Sequence, residues 1–258
     1  MIPGHRESAM SLSRRNGVLT PRAEQFNGRY WQGALDITFA KWDGRVAAAG
    51  LAADLDRRRR AVRGAWHMGL RYLAAQYSAG RPLEEVGTTV RSVATSYAEW
   101  VELESETGTP SPTLAKSNEY FISVLRLVGL ATGTGQIDSA RAVLAAASEH
   151  DADALIRALA TLHGTPVAGE VGDPVPPPRF ARPLLAAIEH PSGAASSITT
   201  YLADWPTRMR STDWIGSLDR VAPGDSYGEG FFGYWAFELA ALNVEGRSAA
   251  LRSGSPLV

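Results

Sequence analysis

The sequence predicts an all-α protein, a multi-helix bundle with a buried aromatic helix near its C-terminus. Three observations carry this expectation. Apolar residues recur at three- and four-residue steps along most of the chain. No two stretches show the apolar–polar alternation of paired strands. The run ending Phe231-Phe232-Gly233-Tyr234-Trp235-Ala236-Phe237-Glu238-Leu239-Ala240-Ala241-Leu242 is apolar on nearly every side when coiled, so as a helix it needs neighbours all round. One charge interrupts that run, Glu238, four residues after Tyr234 and on the same helical face. A carboxylate there must be paired, hydrogen-bonded or neutralised. An internal Arg or Tyr partner within a core network is the first reading of it, and a catalytic acid the second.

The elements follow in order. Residues 1–20 hold Gly, Ser, Arg and Pro without a sustained period and read as a loose arm, ahead of an N-terminal helical region over 21–108. Ala23 to Trp42 places Phe26, Tyr30, Ala34, Ile37 and Lys41 along one face of a first helix, with Trp31, Leu35, Phe39 and Trp42 filling the adjacent positions. Asp54 to Tyr77 keeps Leu55, Val62, Trp66, Leu70, Leu73 and Tyr77 on one side, and Ser78-Ala79-Gly80 ends it with a glycine suited to a left-handed cap. The arginines Arg57 to Arg60 point all round that helix, and Asp54 and Asp56 stand four residues before Arg58 and Arg60, so a solvated, ion-paired face is favoured over a phosphate-binding one. Pro82 to Glu106 predicts a third helix, opened by Pro and by Glu84 and Glu85. Its last turns are expected to expose Glu99, Glu102, Glu104 and Glu106, which oppose the helix dipole and either face solvent or meet a cationic partner.

Thr107-Gly-Thr-Pro-Ser-Pro-Thr113 is the expected boundary before a C-terminal helical region over 114–258. Leu114 to Leu130 is nearly all apolar and therefore central. Ile137 to Ser148 and Ala152 to Leu162 predict a helical hairpin, and Phe180 to Ile188 and Ser192 to Trp205 two further helices after a Pro-rich loop. Asp213 to Gly230 is an irregular acidic stretch with Asp213, Asp219, Asp225 and Glu229 against Arg220 alone.

Composition bounds the chemistry. The chain has 258 residues, enough for a core of normal size, and no cysteine, which removes disulfides, thiolate metal sites and thiol catalysis together and fits a reducing compartment. Met1 to Leu19 lacks an apolar run of signal-peptide length, and Tyr120 to Ala131 is too short to span a bilayer and contains Arg126; a cytoplasmic protein with no membrane segment is expected. Residues 1–96 carry 15 Arg/Lys against 8 Asp/Glu and residues 97–258 carry 11 against 19, so the C-terminal part is acidic.

No catalytic constellation stands out. The five histidines have no zincin spacing, and His150-Asp151-Ala152-Asp153 reads as a helix end and N-cap before it reads as a metal site. Gly133-Thr134-Gly135 lacks the third glycine and preceding strand of a dinucleotide loop, and no nucleophile elbow occurs. No cofactor or metal is expected, and a binding protein rather than an enzyme is favoured. Tryptophans and tyrosines lie on apolar helix faces, against direct nucleic-acid stacking.

Three segments together resemble the PoNi-type immunity proteins, which neutralise PoNe-type nuclease toxins passed between competing bacteria. They are Tyr77-Ser78-Ala79-Gly80 with Pro82-Leu83-Glu84-Glu85, Tyr201-Leu202-Ala203-Asp204-Trp205 with Trp214 downstream, and Gly233-Tyr234-Trp235-Ala236-Phe237-Glu238. The order and spacing extend the resemblance over roughly residues 20–245; Pro206 stands where that family has Tyr. The resemblance implies a helical, non-catalytic cytoplasmic protein that binds a cognate secreted toxin, a nuclease, and blocks its active site. Tyr77, Ser78, Gly80, Tyr201, Trp205, Gly233, Tyr234, Trp235 and Glu238 are expected to build the scaffold, being apolar or cap-like. The toxin-binding candidates are then the acidic groups, Asp213, Asp219, Asp225 and Glu229 in the loop and Glu99, Glu102 and Glu106 at the helix end, because a nuclease cleft attracts phosphates. A helical interaction or regulatory module with a different partner is the alternative.

Overall fold

The computed structural model describes residues 26, 28–108, 117–150, 153–166, 173–209, 212, 231, 233 and 235–243. It is all-α. The helices are α1 Gly28–Gly50, α2 Leu55–Ser78, α3 Leu83–Glu106, α4 Asn118–Gly133, α5 Ile137–His150, α6 Ala154–Leu162, α7 Arg182–Glu189 and α8 Ala194–Arg208. A single 3-10 turn, Pro191–Gly193, precedes α8, and a 3-10 segment spans Phe237–Leu242. Among the described residues the only strand-like pairing is an isolated parallel bridge between Asp153 and Val175. No helix among them is long and apolar enough to cross a membrane. The expected N-terminal arm, most of the linker after Thr107 and the residues beyond Asn243 lie outside the described set.

The described residues fall into two compact units, one of residues up to Ser96 with Phe231 and Gly233, the other of residues from Tyr97 to Thr212 with Trp235 to Asn243; the chain passes from the first to the second within α3. In the first unit α1 packs on α2. α1 buries Tyr30, Trp31, Ala34, Leu35, Thr38 and Trp42. The seam lies toward the Trp31, Leu35 and Trp42 side of the expected face: Ile37 and Lys41 face outward, and Ile37 is 39% exposed. At 3.6 residues per turn the buried positions 30, 31, 34, 35, 38 and 42 centre on Thr38, and Ile37 stands about 100° round the helix from it, at the edge of that face. Tyr72 of α2 stacks on Trp42 at 5.5 Å, and Phe39 lies 5.4 Å from it. Phe231 joins this unit: its carbonyl accepts from the Tyr30 hydroxyl at 3.2 Å, and its ring tilts against Phe26 and Trp31. Burial pushes the Tyr30 phenol up to about 12, so it stays a donor.

Both ends of α2 are built by local chemistry. Asp54 is the N-cap, its carboxylate accepting from the Arg57 backbone N–H at 2.8 Å. Past the last turn, Gly80 adopts φ 80°; its N–H donates to the Tyr77 carbonyl and the N–H of Arg81 reaches the Gln76 carbonyl, the paired bonds of a Schellman end. Arg57, Arg58 and Arg60 are exposed, Arg57 pairs with Asp54, and Asp56 takes both Arg59 and Arg60. Hydrogen bonds from Arg60 and then Arg59 hold the Asp56 carboxyl below its ordinary range.

In the second unit α4 is the central element, buried at every position from Tyr120 to Ala131. Ser117 caps it, accepting from the Tyr120 N–H. α5 packs on α4 and on α6. Asp153 caps α6 through the N–H groups of Leu155 and Ile156, at 2.9 and 3.1 Å, which is what the His150–Asp153 cluster does where it is described. Among the described residues no group of three metal-ligating side chains assembles. Gly135 follows the end of α4, its N–H bonded to the Thr132 carbonyl, so Gly133-Thr134-Gly135 is a helix stop.

The aromatic helix near the C-terminus differs from expectation. Among the described residues of 231–242 only Phe237–Leu242 is helical, and it is 3-10 rather than α; Phe231, Gly233, Trp235 and Ala236 precede it outside any helix. Gly233, at φ 91°, stands in the left-handed region where an α-helix cannot run through it. At Gly129 the backbone of the segment lies directly against α4. A Cβ built on Gly129 of α4 would stand 1.9 Å from the Phe237 carbonyl oxygen, so only glycine permits this seating.

Candidate functional site

The polar centre of the second unit is a knot of four side chains. α4 supplies Arg126 from the middle of its apolar run. α8 supplies Tyr201 and Trp205, four residues apart and so on one face. The 3-10 segment supplies Glu238. The Tyr201 hydroxyl donates to Glu238 Oε1 at 2.5 Å and Trp205 Nε1 donates to the same oxygen at 2.6 Å. The other carboxylate oxygen, Oε2, faces Arg126 Nε at 3.9 Å. Each member is closed to solvent: Arg126 and Tyr201 are 0% exposed, Glu238 1% and Trp205 6%.

The electrostatics are those of a buried ion pair with neutral donors around it. Burial, the Glu238 charge and the hydrogen bond to it raise the Tyr201 phenol well above its ordinary value, so it remains a donor. Burial pulls the Arg126 value down, and the charge of Glu238 opposes that pull. Desolvating two charges costs several kcal/mol per ion on the order-of-magnitude scale, so the pair specifies where the 3-10 segment seats more than it adds stability. No substrate atom reaches a carboxylate sealed in this way. Glu238 therefore positions a segment of chain.

The motif residues divide by position. Tyr201, Trp205 and Glu238, drawn from two of the three resembling segments, meet in the knot. Ser78 is buried at the end of α2, with Tyr77 half-buried before the Gly80 turn. Gly233 is buried, and Tyr234 lies outside the described residues. Trp235 is only half-buried. The roughly 3 to 5 kcal/mol that full burial would give to Trp235→Ala is therefore too large; about 1 to 2 kcal/mol is expected from its partial apolar burial. A shift of the urea midpoint at unchanged slope checks this.

The acidic candidates are separated by the structure. Asp213, Asp219, Asp225 and Glu229 lie outside the described residues. At the end of α3, Glu102 and Glu106 are exposed and Glu99 is half-buried, with spacings of three and four residues that place them on one stripe. Glu104, expected to be exposed with them, is 2% exposed instead. It accepts from Trp100 Nε1 at 3.0 Å. Trp100 meets Tyr120 edge-on at 5.5 Å, and the hydroxyls of Tyr97 and Tyr120 are 2.9 Å apart. The signal was present in the pattern: Val86, Val90, Val93, Tyr97 and Val101 step along one face, and the next position of that stripe is 104.

No protein-family model matches the chain, and no curated protein matches it. Among solved structures it is similar to protein PA2201 from Pseudomonas aeruginosa, with a TM-score of 0.67 and 19% identity over 96% of this chain and 91% of that one. At that identity the likeness is one of fold.

Proposed function

We propose that this chain is an immunity protein that binds and neutralises a cognate bacterial nuclease toxin. The observation that supports the reading best is the meeting of two resembling segments in one place. Tyr201 and Trp205 are 37 and 33 positions from Glu238, and both donate to its Oε1. Residues that the resemblance singles out are thus coupled to each other in the core, as a fold-specifying signature is, and they are not arrayed in a cleft. The contacts that hold the toxin belong to the acidic surface groups, because a cleft that handles a polyanion presents cations. The sequence reads 213–230 as irregular, and irregular segments carry binding groups more often than helix ends, which favours Asp213, Asp219, Asp225 and Glu229 over the Glu99, Glu102 and Glu106 stripe. One interface of standard size, on the order of 1,600 Å² in total, has room for only one of these two groups.

The test is charge reversal. Changing Asp213, Asp219, Asp225 and Glu229 to Lys is expected to abolish protection of cells expressing the toxin and to slow association by roughly 10- to 1000-fold, with the circular dichroism spectrum unchanged. Reversal of Glu99, Glu102 and Glu106 is expected to leave protection in place. Protection that survives both reversals, with binding indifferent to salt, would rule out electrostatic inhibition.

A further inference from the structure

A second buried contact fastens the 3-10 segment. His163 follows α6 as its C-cap and is 2% exposed. Its Nε2 lies 2.9 Å from the carbonyl oxygen of Ala241. A carbonyl only accepts, so Nε2 carries the proton of the neutral ring and Nδ1 is bare. Nδ1 is buried and has no hydrogen-bond partner among the described residues. The backbone oxygen of His163 accepts from Arg141 Nε of α5 at 2.9 Å, which holds a guanidinium beside the ring.

We propose that His163 is a proton-operated clasp, whose protonation at Nδ1 releases Phe237–Leu242 from its seat in the second unit. The neutral ring satisfies the Ala241 carbonyl and leaves Nδ1 needing nothing. The cation places an N–H in a buried site without an acceptor, so the ring must leave to be solvated. The charged groups around it do not relieve this. Arg141 on α5 is of like charge, and Asp138 on α5, which pairs with Arg141 at 3.2 Å, has its side chain 99% exposed in solvent. On the 3-10 segment Glu238 is engaged by Tyr201 and Trp205. On α6 itself Arg157 is again a cation, and α7, which packs on α6, carries Arg182 and Glu189 exposed. Desolvation, with Arg141 adding to it, holds the His163 value below its ordinary 6.5, against the Ala241 bond that raises it.

The sign follows from that direction. Above about pH 6.5 the ring is neutral whether docked or released, and docking is independent of pH. Below it the released form binds a proton that the docked form refuses, so docking weakens by up to about tenfold per pH unit until the docked ring titrates too. Hydrogen exchange at the Leu239 and Asn243 amides, bonded to the Ala236 and Ala240 carbonyls, reads this docking. After correction for the intrinsic rate, their protection is expected to be flat from pH 8 to 6.5 and to fall below it. His163→Gln, whose amide nitrogen can replace Nε2 without titrating, is expected to remain flat, and Arg141→Gln to make the loss level off at a higher pH. Parallel loss in wild type and His163→Gln would overturn the proposal. If the Gln variant does not fold, the ring titration of wild-type His163 by NMR decides: a value below 6.5 with concurrent loss of protection supports the clasp, and a value of 6.5 or above overturns it.

Discussion

Gly129→Ala is expected to prevent the 3-10 segment from seating on α4. The added Cβ would stand 1.9 Å from the Phe237 carbonyl oxygen and 2.6 Å from its carbon, and both are backbone atoms that no rotamer change can move. Glu238, the next residue, is held by Tyr201 and Trp205, so the segment cannot slide without stretching those bonds. A loss on the order of 3 kcal/mol is expected, at the upper end of overpacking costs. Gly133, one helical turn further along α4, is the control. A Cβ there would meet the Ala240 Cβ at 3.5 Å, an ordinary contact, so Gly133→Ala should be neutral or stabilising by up to about 1 kcal/mol. Urea unfolding of the two variants distinguishes this account from a general intolerance of α4 to alanine.

The second large effect belongs to the knot. Glu238→Ala leaves the Arg126 guanidinium buried without its counter-charge and removes the acceptor of both Tyr201 and Trp205, at a cost of about 3 to 5 kcal/mol. Pairing it with Arg126→Met should recover much of that loss, because the buried charge is then gone from both sides. Glu238→Gln is milder. It keeps a carbonyl oxygen for the two donors and loses only the charge, so it should lower stability while leaving toxin protection intact. Thermal unfolding of the single and double variants, read as a cycle, measures the coupling. Loss of protection in a well-folded Glu238→Gln protein would move Glu238 from scaffold to binding site.

These two sites show where sequence reading reaches and where it stops. Helix ends were legible where their determinants are local: Asp153 caps α6 and Gly80 stops α2 within a few residues of the atoms they serve, whereas Asp54, read as an ion-pair partner of Arg58, is the N-cap of α2. That Glu238 needs a buried partner was legible from its apolar neighbours. Which Arg or Tyr it meets was not, since Arg126 lies 112 positions away and no local rule links them. The 3-10 geometry of Phe237–Leu242 was illegible for the same reason. It depends on Gly129, on Glu238 being drawn into the knot and on Ala241 giving its carbonyl to His163. An α-helical reading of the apolar run had only the run itself to go on. Glu104 is the opposite case, a buried carboxylate that the stripe through Tyr97 and Val101 already marked.

The most direct test of the proposed function is to titrate the purified chain into the toxin nuclease domain that the proposal expects to be encoded beside its gene, and to follow DNA cleavage. The account predicts that cleavage stops at a stoichiometric ratio, that the two proteins co-elute, and that added salt slows the onset of inhibition. Cleavage that continues unchanged at a large excess of the chain, with no complex on gel filtration, would contradict it.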